Sequence, residues 1–255
     1  MKFNIASATN KGHRSYMEDF IFYVHKPKYI ISGVTDGHGG EKTAKYIQGN
    51  FCLKFDRNFP KNNYNIAQTL RKTIQQIQTF VLRNKKTFSS SGATLNVIVV
   101  CKKRNKVYIC NVGDSRAIMA TSNNRCYQIS KDHSLEDREE RQSILENGGY
   151  IKDNRVNGVL NLSRAIGDGD VAKYISSKPD ITTKQLQTKT YQMRFILQAS
   201  DGLFDVMPNK QICEFIHGHL KQKRSPNYIA NSLIHYALKH KKAVDNLCAI
   251  LIVIS

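Results

Sequence analysis

Two segments near the start of the chain have the hydrophobic spacing of amphipathic helices. Apolar residues recur every three or four positions across residues 66–83, which predicts the clearest helix of the chain. Residues 41–55 show the same pattern on one face. The polar residues 56–65, which include Pro60, are expected to form a loop. The pattern therefore predicts two consecutive helices.

Short runs rich in β-branched residues predict the strands. They comprise two runs within residues 1–24 and the segments 29–34, 93–101, 107–112, 116–120, 126–130, 150–166, 195–199 and 247–255. Further helices are expected at 135–146, at 209–220 and from Ser225-Pro226 onwards, where serine can cap a helix that begins with proline. Strands that flank two separate helix pairs indicate an α+β fold, a β-sandwich covered by helices. The absence of a linker predicts one domain over residues 1–255.

Residues 32–40, with the sequence SGVTDGHGG, concentrate the candidate chemistry. An apolar strand leads into them, and it is expected to stop at Asp36, where three glycines in five positions predict a sharp turn. The other two residues of this turn are Asp36 and His38. An acid and an imidazole at a strand end favour a functional site, and an ordinary strand-to-helix turn is the alternative.

Other acidic residues lie beside turns and strand ends far along the chain. These residues are Glu18, Asp19, Asp114, Asp201 and Asp245. In a sandwich, strand ends collect at the two rims, so these carboxylates can converge although they are distant in sequence. Converging carboxylates raise one another's pKa unless a cation compensates. Oxygen donors without matched Cys or His favour Mg²⁺ or Mn²⁺.

The sequence also contains the other parts that phosphoryl hydrolysis needs. Asp36 could bridge two ions, and Gly37 could offer its carbonyl to one of them. Two such ions could lower the pKa of a shared water. Arg14 suits a phosphate clamp, because a guanidinium forks onto phosphate. His38 suits the acid that protonates the leaving oxygen.

Charge and cysteine content limit the partners and the compartment. The net charge is +19, from 39 Lys and Arg against 20 Asp and Glu in 255 residues, which favours acidic or phosphate-rich partners. The basic residues are dispersed, so nothing beyond the charge supports nucleic-acid binding. Six cysteines without a CxxC pair are expected to be reduced, buried thiols of an intracellular protein, cytoplasmic or nuclear, and not disulfides or zinc ligands. No membrane span or secretory signal is expected.

A set of short motifs occurs in a fixed order from about residue 4 to residue 254. The motifs are RSYMED (14–19), DGHGG (36–40), SGAT (91–94), NVGDSR (111–116), RVNG (155–158), LSRAIGD (162–168), ASDGLFDVM (199–207) and DN (245–246). In this order they resemble the protein phosphatase 2C (PPM) family of metal-dependent protein serine/threonine phosphatases. Each motif alone is weak, whereas the ordered set is specific.

The resemblance implies a fold, a reaction and a set of metal ligands. The fold is a four-layer sandwich, in which two antiparallel β-sheets lie between two pairs of helices. The reaction is hydrolysis of phosphoserine and phosphothreonine in proteins by a water that bridges two Mg²⁺ or Mn²⁺ ions. Asp36 would bind both ions, and the Gly37 carbonyl would bind one. Asp201 and Asp245 would complete the protein ligands of the other ion.

The resemblance also implies roles around the two ions. Glu18 and Asp19 would hold metal-bound waters. Arg14 would bind the substrate phosphate, and His38 would act as general acid. The positions that family members use for a weaker third metal correspond to Asp114 and Asp205.

The sequence departs from the family pattern in three places. Thr35 replaces an aromatic residue and Phe204 replaces a tryptophan, and both are expected to be modest packing changes. The segment from Gly169 to Asp180 is shorter than the flap of many relatives, which leaves substrate preference open. Within matched motifs, Ser115 and Asp168 are interpreted as structural turn residues.

Two alternative functions are considered beside the phosphatase. The first is a basic pseudophosphatase that binds phosphorylated or nucleic-acid partners without turnover, and the charge motivates it. The second is a metal-dependent nuclease. The complete metal set disfavours the first, and the motif order disfavours the second. No heptad or exposed apolar helix stands out, and we expect a monomer.

Overall fold

The helices form where the apolar spacing predicts them, and polar residues cap several of their first turns. In the computed structural model, which describes all 255 residues, Asn65 caps the second helix by accepting a hydrogen bond from the Gln68 N–H at 3.1 Å. Ser225 likewise accepts from the Tyr228 N–H at 3.2 Å. The helices are α1 Lys42–Lys61, α2 Ile66–Arg83, α3 Lys85–Phe88, α4 Arg138–Glu146, α5 Asp201–Phe204, α6 Asn209–Lys221 and α7 Pro226–Lys241.

Two helix boundaries differ from the prediction. Helix α1 continues to Lys61, so the expected loop begins about six residues too early, at residue 56. The extra turns are held by Asn58, which is buried and donates hydrogen bonds to Thr73 (3.2 Å) and Gln76 (2.9 Å) of α2. Pro60 is tolerated because it lies at the helix end, where it removes one backbone hydrogen bond. Helix α4 starts three residues later than expected because Asp137 caps it.

The strands form two large antiparallel sheets and one small hairpin. The strands are β1 Phe3–Asn10, β2 Asp19–His25, β3 Ile30–His38, β4 Gly92–Ala93, β5 Leu95–Cys101, β6 Lys106–Val112, β7 Arg116–Thr121, β8 Cys126–Gln128, β9 Ile151–Lys152, β10 Arg155–Val156, β11 Ile166–Gly167, β12 Asp180–Gln185, β13 Met193–Ala199 and β14 Leu247–Ile254. One sheet has the order β1-β14-β13-β7-β8. The other has the order β11-β4-β3-β5-β6-β12, with β2 also paired to β3, and β9 and β10 form the hairpin.

The hydrophobic core has three main parts, as expected for four stacked layers. One cluster lies between the five-stranded sheet and helices α6 and α7. A second lies between the other large sheet and helices α1 and α2. The third contains residues from both sheets, such as Ile98 and Ile252, and fills the space between them. The predicted four-layer α+β sandwich is therefore confirmed.

Two cysteines differ from the expectation of reduced thiols. Cys126 in β8 and Cys213 in α6 form a disulfide, with 6.2 Å between their Cα atoms. The other four cysteines are free. This pair could not be recognised from the sequence, because the two residues are 87 positions apart and meet only when α6 packs against the sheet. None of the helices is both long enough and apolar enough to cross a membrane.

The sheet register brings distant acidic residues to one rim of the sandwich. Strands β2 and β3 pair Asp19 with Asp36. Strands β13 and β14 are antiparallel neighbours, so the end of one and the start of the other lie together, beside Asp201 and Asp245. The turn between β6 and β7 carries Asp114 to the same rim.

Candidate active site

Strand β3 continues further than the glycine-rich sequence suggests. It runs through Asp36 and Gly37 to His38, because the short strand β4 pairs with its last two residues. The sharp turn lies at Gly39 and Gly40, where φ is 64° and 113°. The expectation that the strand stops at Asp36 was wrong. The result is that Asp36 and His38 are held by regular strand geometry.

Gly37 is needed for a close approach of two backbones. A Cβ at this position would lie 2.6 Å from the carbonyl oxygen of Glu18. The Gly37 N–H donates to that same oxygen at 3.1 Å. A side chain at residue 37 would therefore push Glu18 away from Asp36.

The rim contains an open cavity of about 410 Å³ that holds nearly all of the sequence-predicted site residues. Nine of the ten line it, namely Arg14, Glu18, Asp36, Gly37, His38, Asp114, Asp201, Asp205 and Asp245. The tenth, Asp19, lies beneath the cavity with 3% of its surface exposed. These predicted residues come from five separate parts of the chain and meet at one place.

Three carboxylates form the centre of the cavity. One oxygen from each of Asp36, Asp114 and Asp201 lies within 4.8 Å of the others. Burial, followed by repulsion from nearby carboxylates, raises the pKa of Asp36 above its ordinary value. Burial and the Asp201 charge raise the pKa of Asp114 to about 7. Burial is also the main reason that the pKa of Asp201 is raised.

The acidic cluster continues on both sides of this centre. Asp19 accepts a hydrogen bond from the Ser200 hydroxyl at 2.6 Å, yet burial still raises its pKa to about 7. Burial and the charge of Asp201 raise the pKa of Asp205. No Lys or Arg forms an ion pair with Asp36, Asp114 or Asp201. A cluster of this kind is stable near neutral pH when it binds protons or a cation.

Arg14 lies at the mouth of the cavity. Its guanidinium donates to the Asp245 carboxylate at 2.6 Å, while 60% of its side chain is exposed. The predicted phosphate clamp therefore contacts a predicted metal ligand directly. An exposed guanidinium beside the acidic centre can still reach an incoming phosphate, since its five N–H donors are not all used by one carboxylate.

Asn246 organises the loop that carries Glu18, a role that was not predicted from the sequence. Its side-chain oxygen accepts from the Glu18 N–H at 2.7 Å. Its amide group donates to the carbonyls of Lys11 (2.8 Å) and Tyr16 (3.0 Å). The Glu18 carboxylate in turn accepts from the Gly40 N–H at 2.8 Å. The motif DN was visible in the sequence, but the loop that it binds was not.

His38 contacts Asp168, which was interpreted from the sequence as a structural turn residue only. Its Nε2 lies 2.8 and 2.9 Å from the two carboxylate oxygens of Asp168. Asp168 is a turn residue, with φ of 54°, but its buried carboxylate also holds the imidazole. The interpretation was therefore incomplete. Ser115 is structural as expected, because its buried hydroxyl hydrogen-bonds to the Thr94 hydroxyl at 2.6 Å.

The fold and the site together define a class of protein. A cluster of oxygen donors on a sandwich rim, with an arginine and a histidine beside it, has the chemistry of a metal-dependent phosphoryl hydrolase. The family model of protein phosphatase 2C matches residues 3–247. The chain therefore belongs to the protein phosphatase 2C family.

Individual relatives agree with the family match. Probable protein phosphatase 2C 6 of Paramecium tetraurelia is 31% identical over 274 residues, covering 97% of this chain and 91% of the relative. Probable protein phosphatase 2C 45 of Oryza sativa subsp. japonica is 30% identical over 256 residues, covering 98% and 87%. A crystal structure of serine-threonine phosphatase 2C from Toxoplasma gondii has the same fold, with a TM-score of 0.83 at 19% identity over 99% of this chain and 95% of that one. The protein is a metal-dependent protein serine/threonine phosphatase.

Proposed function

We propose that the rim cavity is the catalytic centre, and that it hydrolyses phosphoserine and phosphothreonine with two Mg²⁺ or Mn²⁺ ions and a weaker third. The observation that carries this proposal is the group of three carboxylate oxygens, from Asp36, Asp114 and Asp201, within 4.8 Å of one another. Oxygen-only donors with raised pKa values and no basic partner fit a hard divalent cation.

The donors are assigned as the family resemblance suggests. Asp36, the Gly37 carbonyl, Asp201 and Asp245 would hold the two main ions. Asp114 and Asp205 would hold the third, and Glu18 and Asp19 would orient waters next to the site. Such ions supply Lewis acidity, which activates water and neutralises phosphoryl charge.

Two residues of the chain act on the substrate itself. Arg14 binds the phosphate through the donors of its exposed guanidinium that its contact with Asp245 leaves free. His38 gives a proton to the leaving serine or threonine oxygen, because an alkoxide is a poor leaving group. Asp168 keeps the His38 ring in one orientation through the contact at 2.8 Å.

The test is phosphate release from a phosphothreonine peptide with added Mn²⁺. We expect turnover that EDTA removes and that Asp201→Asn lowers by at least about a hundredfold, because a ligand carboxylate is lost. Asp153→Asn is the matched control, since Asp153 is exposed at a hairpin tip and does not line the cavity. Full activity of the wild-type protein in chelator would overturn the proposal.

The alternatives receive no support from the site. None of the expected acidic residues is missing, so nothing favours a pseudophosphatase that only binds. Binding of the phosphopeptide without phosphate release in either metal would favour that alternative. Cleavage of single- or double-stranded nucleic acid in the same buffer would instead favour a nuclease.

We also propose that the protein is a monomer that works inside the cell, in the cytoplasm or the nucleus. The large apolar residues that remain exposed are distributed over many elements, which gives no single patch for self-association. Four free cysteines agree with a reducing compartment, whereas the Cys126–Cys213 disulfide is unusual there.

A further inference from the structure

A groove between helices α1 and α2 is strongly basic. It has a volume of about 570 Å³, and five cationic side chains line it. These are Lys54, Arg57 and Lys61 of α1, and Lys72 and Arg83 of α2, which we call the basic groove. The three residues on α1 are spaced by three and four positions, so they share one face of that helix. Four of the five are exposed, and Lys54 is half-buried.

The charge of the basic groove is not compensated by neighbouring acids. None of its five cationic side chains takes part in an ion pair, and no acidic residue lines the groove. Helices α1 and α2 contain eight Lys or Arg and a single acid, Asp56. The carboxylate of Asp56 is used elsewhere, because it pairs with Lys26 at 3.2 Å and accepts a hydrogen bond from Tyr29. The groove therefore attracts anions.

The floor of the groove is polar and already ordered. Asn58 lies there, buried and hydrogen-bonded to Thr73 and Gln76. Phe80 is the only apolar residue that lines the groove, and its ring is stacked on Tyr46 at 4.5 Å. A polar floor does not suit the apolar face of a partner helix. A single, already stacked ring also gives little of the stacking surface that single-stranded nucleic acids use.

We propose that the basic groove docks an acidic or phosphorylated segment of the phosphoprotein substrate, at a distance from the residue that is dephosphorylated. The proposal rests on the phosphatase function and adds a substrate class to it. Arg57 and Arg83 can form forked hydrogen bonds with carboxylate or phosphate groups, and the lysines add point charges. The exposed amide groups of Gln75 and Asn84 can hydrogen-bond to the peptide backbone.

The position of the groove sets a minimum separation between the acidic segment of the substrate and its phosphothreonine. Helix α1 starts at Lys42, directly after the DGHGG turn of the active site. At about 1.5 Å per residue, Lys54 lies roughly 18 Å and Lys61 roughly 28 Å along the helix from Lys42. An extended peptide spans about 3.3 Å per residue, so the acidic segment must lie at least about six residues from the phosphothreonine.

The test compares two synthetic substrates and two protein variants. One phosphothreonine peptide carries a run of aspartates about ten residues from the phosphothreonine, and its partner carries asparagines instead. The groove variant is Arg57→Gln, Lys61→Gln, Lys72→Gln and Arg83→Gln combined. The matched control changes the same amount of charge elsewhere, by Lys103→Gln, Lys106→Gln, Lys184→Gln and Lys189→Gln. All eight side chains are exposed and form no ion pairs, so both variants should fold.

We expect the groove variant to raise KM for the aspartate peptide about tenfold, because four modest charge contacts are lost together. The value of kcat, and turnover of p-nitrophenyl phosphate and of the asparagine peptide, should stay unchanged. The control variant should change KM for the aspartate peptide by less than about twofold, and salt should reduce the difference between the variants.

An equal rise of KM in the control variant would overturn the proposal in favour of general attraction by the net charge. Unchanged KM in the groove variant, with lost binding of a single-stranded RNA oligonucleotide, would overturn it in favour of a nucleic-acid surface. If no phosphopeptide is hydrolysed by the wild-type protein, the phosphatase function fails separately. Fluorescence anisotropy of the labelled aspartate peptide then still decides whether the groove binds it.

Discussion

The contact between His38 and Asp168 depends on a third residue that has no side chain. A Cβ at Gly92 would overlap both the imidazole Nε2 and the Asp168 carboxylate. Gly92 belongs to strand β4, which pairs with the end of β3 and so lies directly beside His38. The glycine of the SGAT motif therefore makes room for the pair that orients the proton donor.

Replacement of Asp168 by Asn should separate two kinds of substrate. We expect Asp168→Asn to lower kcat on a phosphothreonine peptide by about ten- to a hundredfold, because a poorly held imidazole protonates the alkoxide less well. Turnover of p-nitrophenyl phosphate should change little, since nitrophenolate leaves without a proton. Steady-state kinetics on both substrates measure this difference.

The same pattern should appear in His38→Gln, and the double variant should be no worse than His38→Gln alone. Equal losses on both substrates would mean that Asp168 supports the site as a whole. An additive double variant would mean that Asp168 does not act through His38.

Most acidic residues of the site could be predicted from the sequence, because they stand beside a glycine or a strand end, whereas Asp205 stands beside neither and came only from the family resemblance. Asp168 could not be assigned its contact, since it is 130 positions from His38 and meets it only through the left-handed turn at residue 168. Gly37 was expected to allow a sharp turn and a close approach of the backbone, and the structure identifies Glu18 as the group that it approaches. The sequence shows which residues have an unusual context, but their roles depend on the residues that they contact in the folded protein.

Helices and strands with a clear apolar face were predicted, and those stabilised by a neighbour were not. Strand β12, with the polar sequence DITTKQ, has no hydrophobic signal and is held by pairing with β6. The last turns of α1 are likewise held by the contacts of Asn58 with α2. The disulfide between β8 and α6 could not be predicted for the same reason, because only packing in the folded protein brings the two elements together.

Loss of the Cys126–Cys213 bond should weaken the attachment of α6 to the five-stranded sheet. Because the bond closes a loop of 87 residues, we expect its removal to lower the free energy of unfolding by about 2–4 kcal/mol. Thermal unfolding of the Cys126→Ser, Cys213→Ser protein measures the effect. Neither cysteine lines the active-site cavity, so kcat below the unfolding temperature should stay the same.

Cys52→Ser provides the control, since Cys52 is free and half-buried. Thiol titration of the denatured, unreduced protein should find four free thiols among the six cysteines. Six free thiols would contradict the bond.

Both large sheets contribute acidic residues to the active site at the rim. Asp36 belongs to one sheet, while Asp201 and Asp245 lie at strand ends of the other. The acidic cluster therefore forms only when the whole sandwich is packed, and its charge acts on the stability of the entire fold. Packing in four layers was predictable from the motif order and the helix pairs, but the distances within the cluster required the register of both sheets.

The metal-free protein should lose stability as the pH rises. Burial and nearby carboxylates raise the pKa of Asp19 and of Asp114 to about 7, whereas the unfolded chain ionises aspartate near pH 4. The folded state thus holds extra protons between these values. Their stabilising contribution is complete below about pH 4 and is lost as the pH rises through about 7, on the order of a few kcal/mol.

Thermal unfolding in EDTA at about pH 5 and about pH 7.5 tests this expectation. The buried His133, whose pKa is lowered by burial, gives a slope of the opposite sign below its usual pKa. The His133 contribution is the same in the wild-type protein and in Asp114→Asn, so comparing the two removes it. The Asp114→Asn variant should lose less stability at the higher pH. A loss as large as in the wild-type protein would contradict the assignment. Added Mn²⁺ should raise the unfolding temperature more at the higher pH.

Strand β14 follows Asp245 directly and lies between β1 and β13 in its sheet. The chain therefore cannot become active in stages while it is being synthesised. Until residues 245–254 have left the exit tunnel, β1 has no neighbour to pair with and Asp245 is not held at the rim. Dephosphorylation begins only when synthesis of this strand is complete.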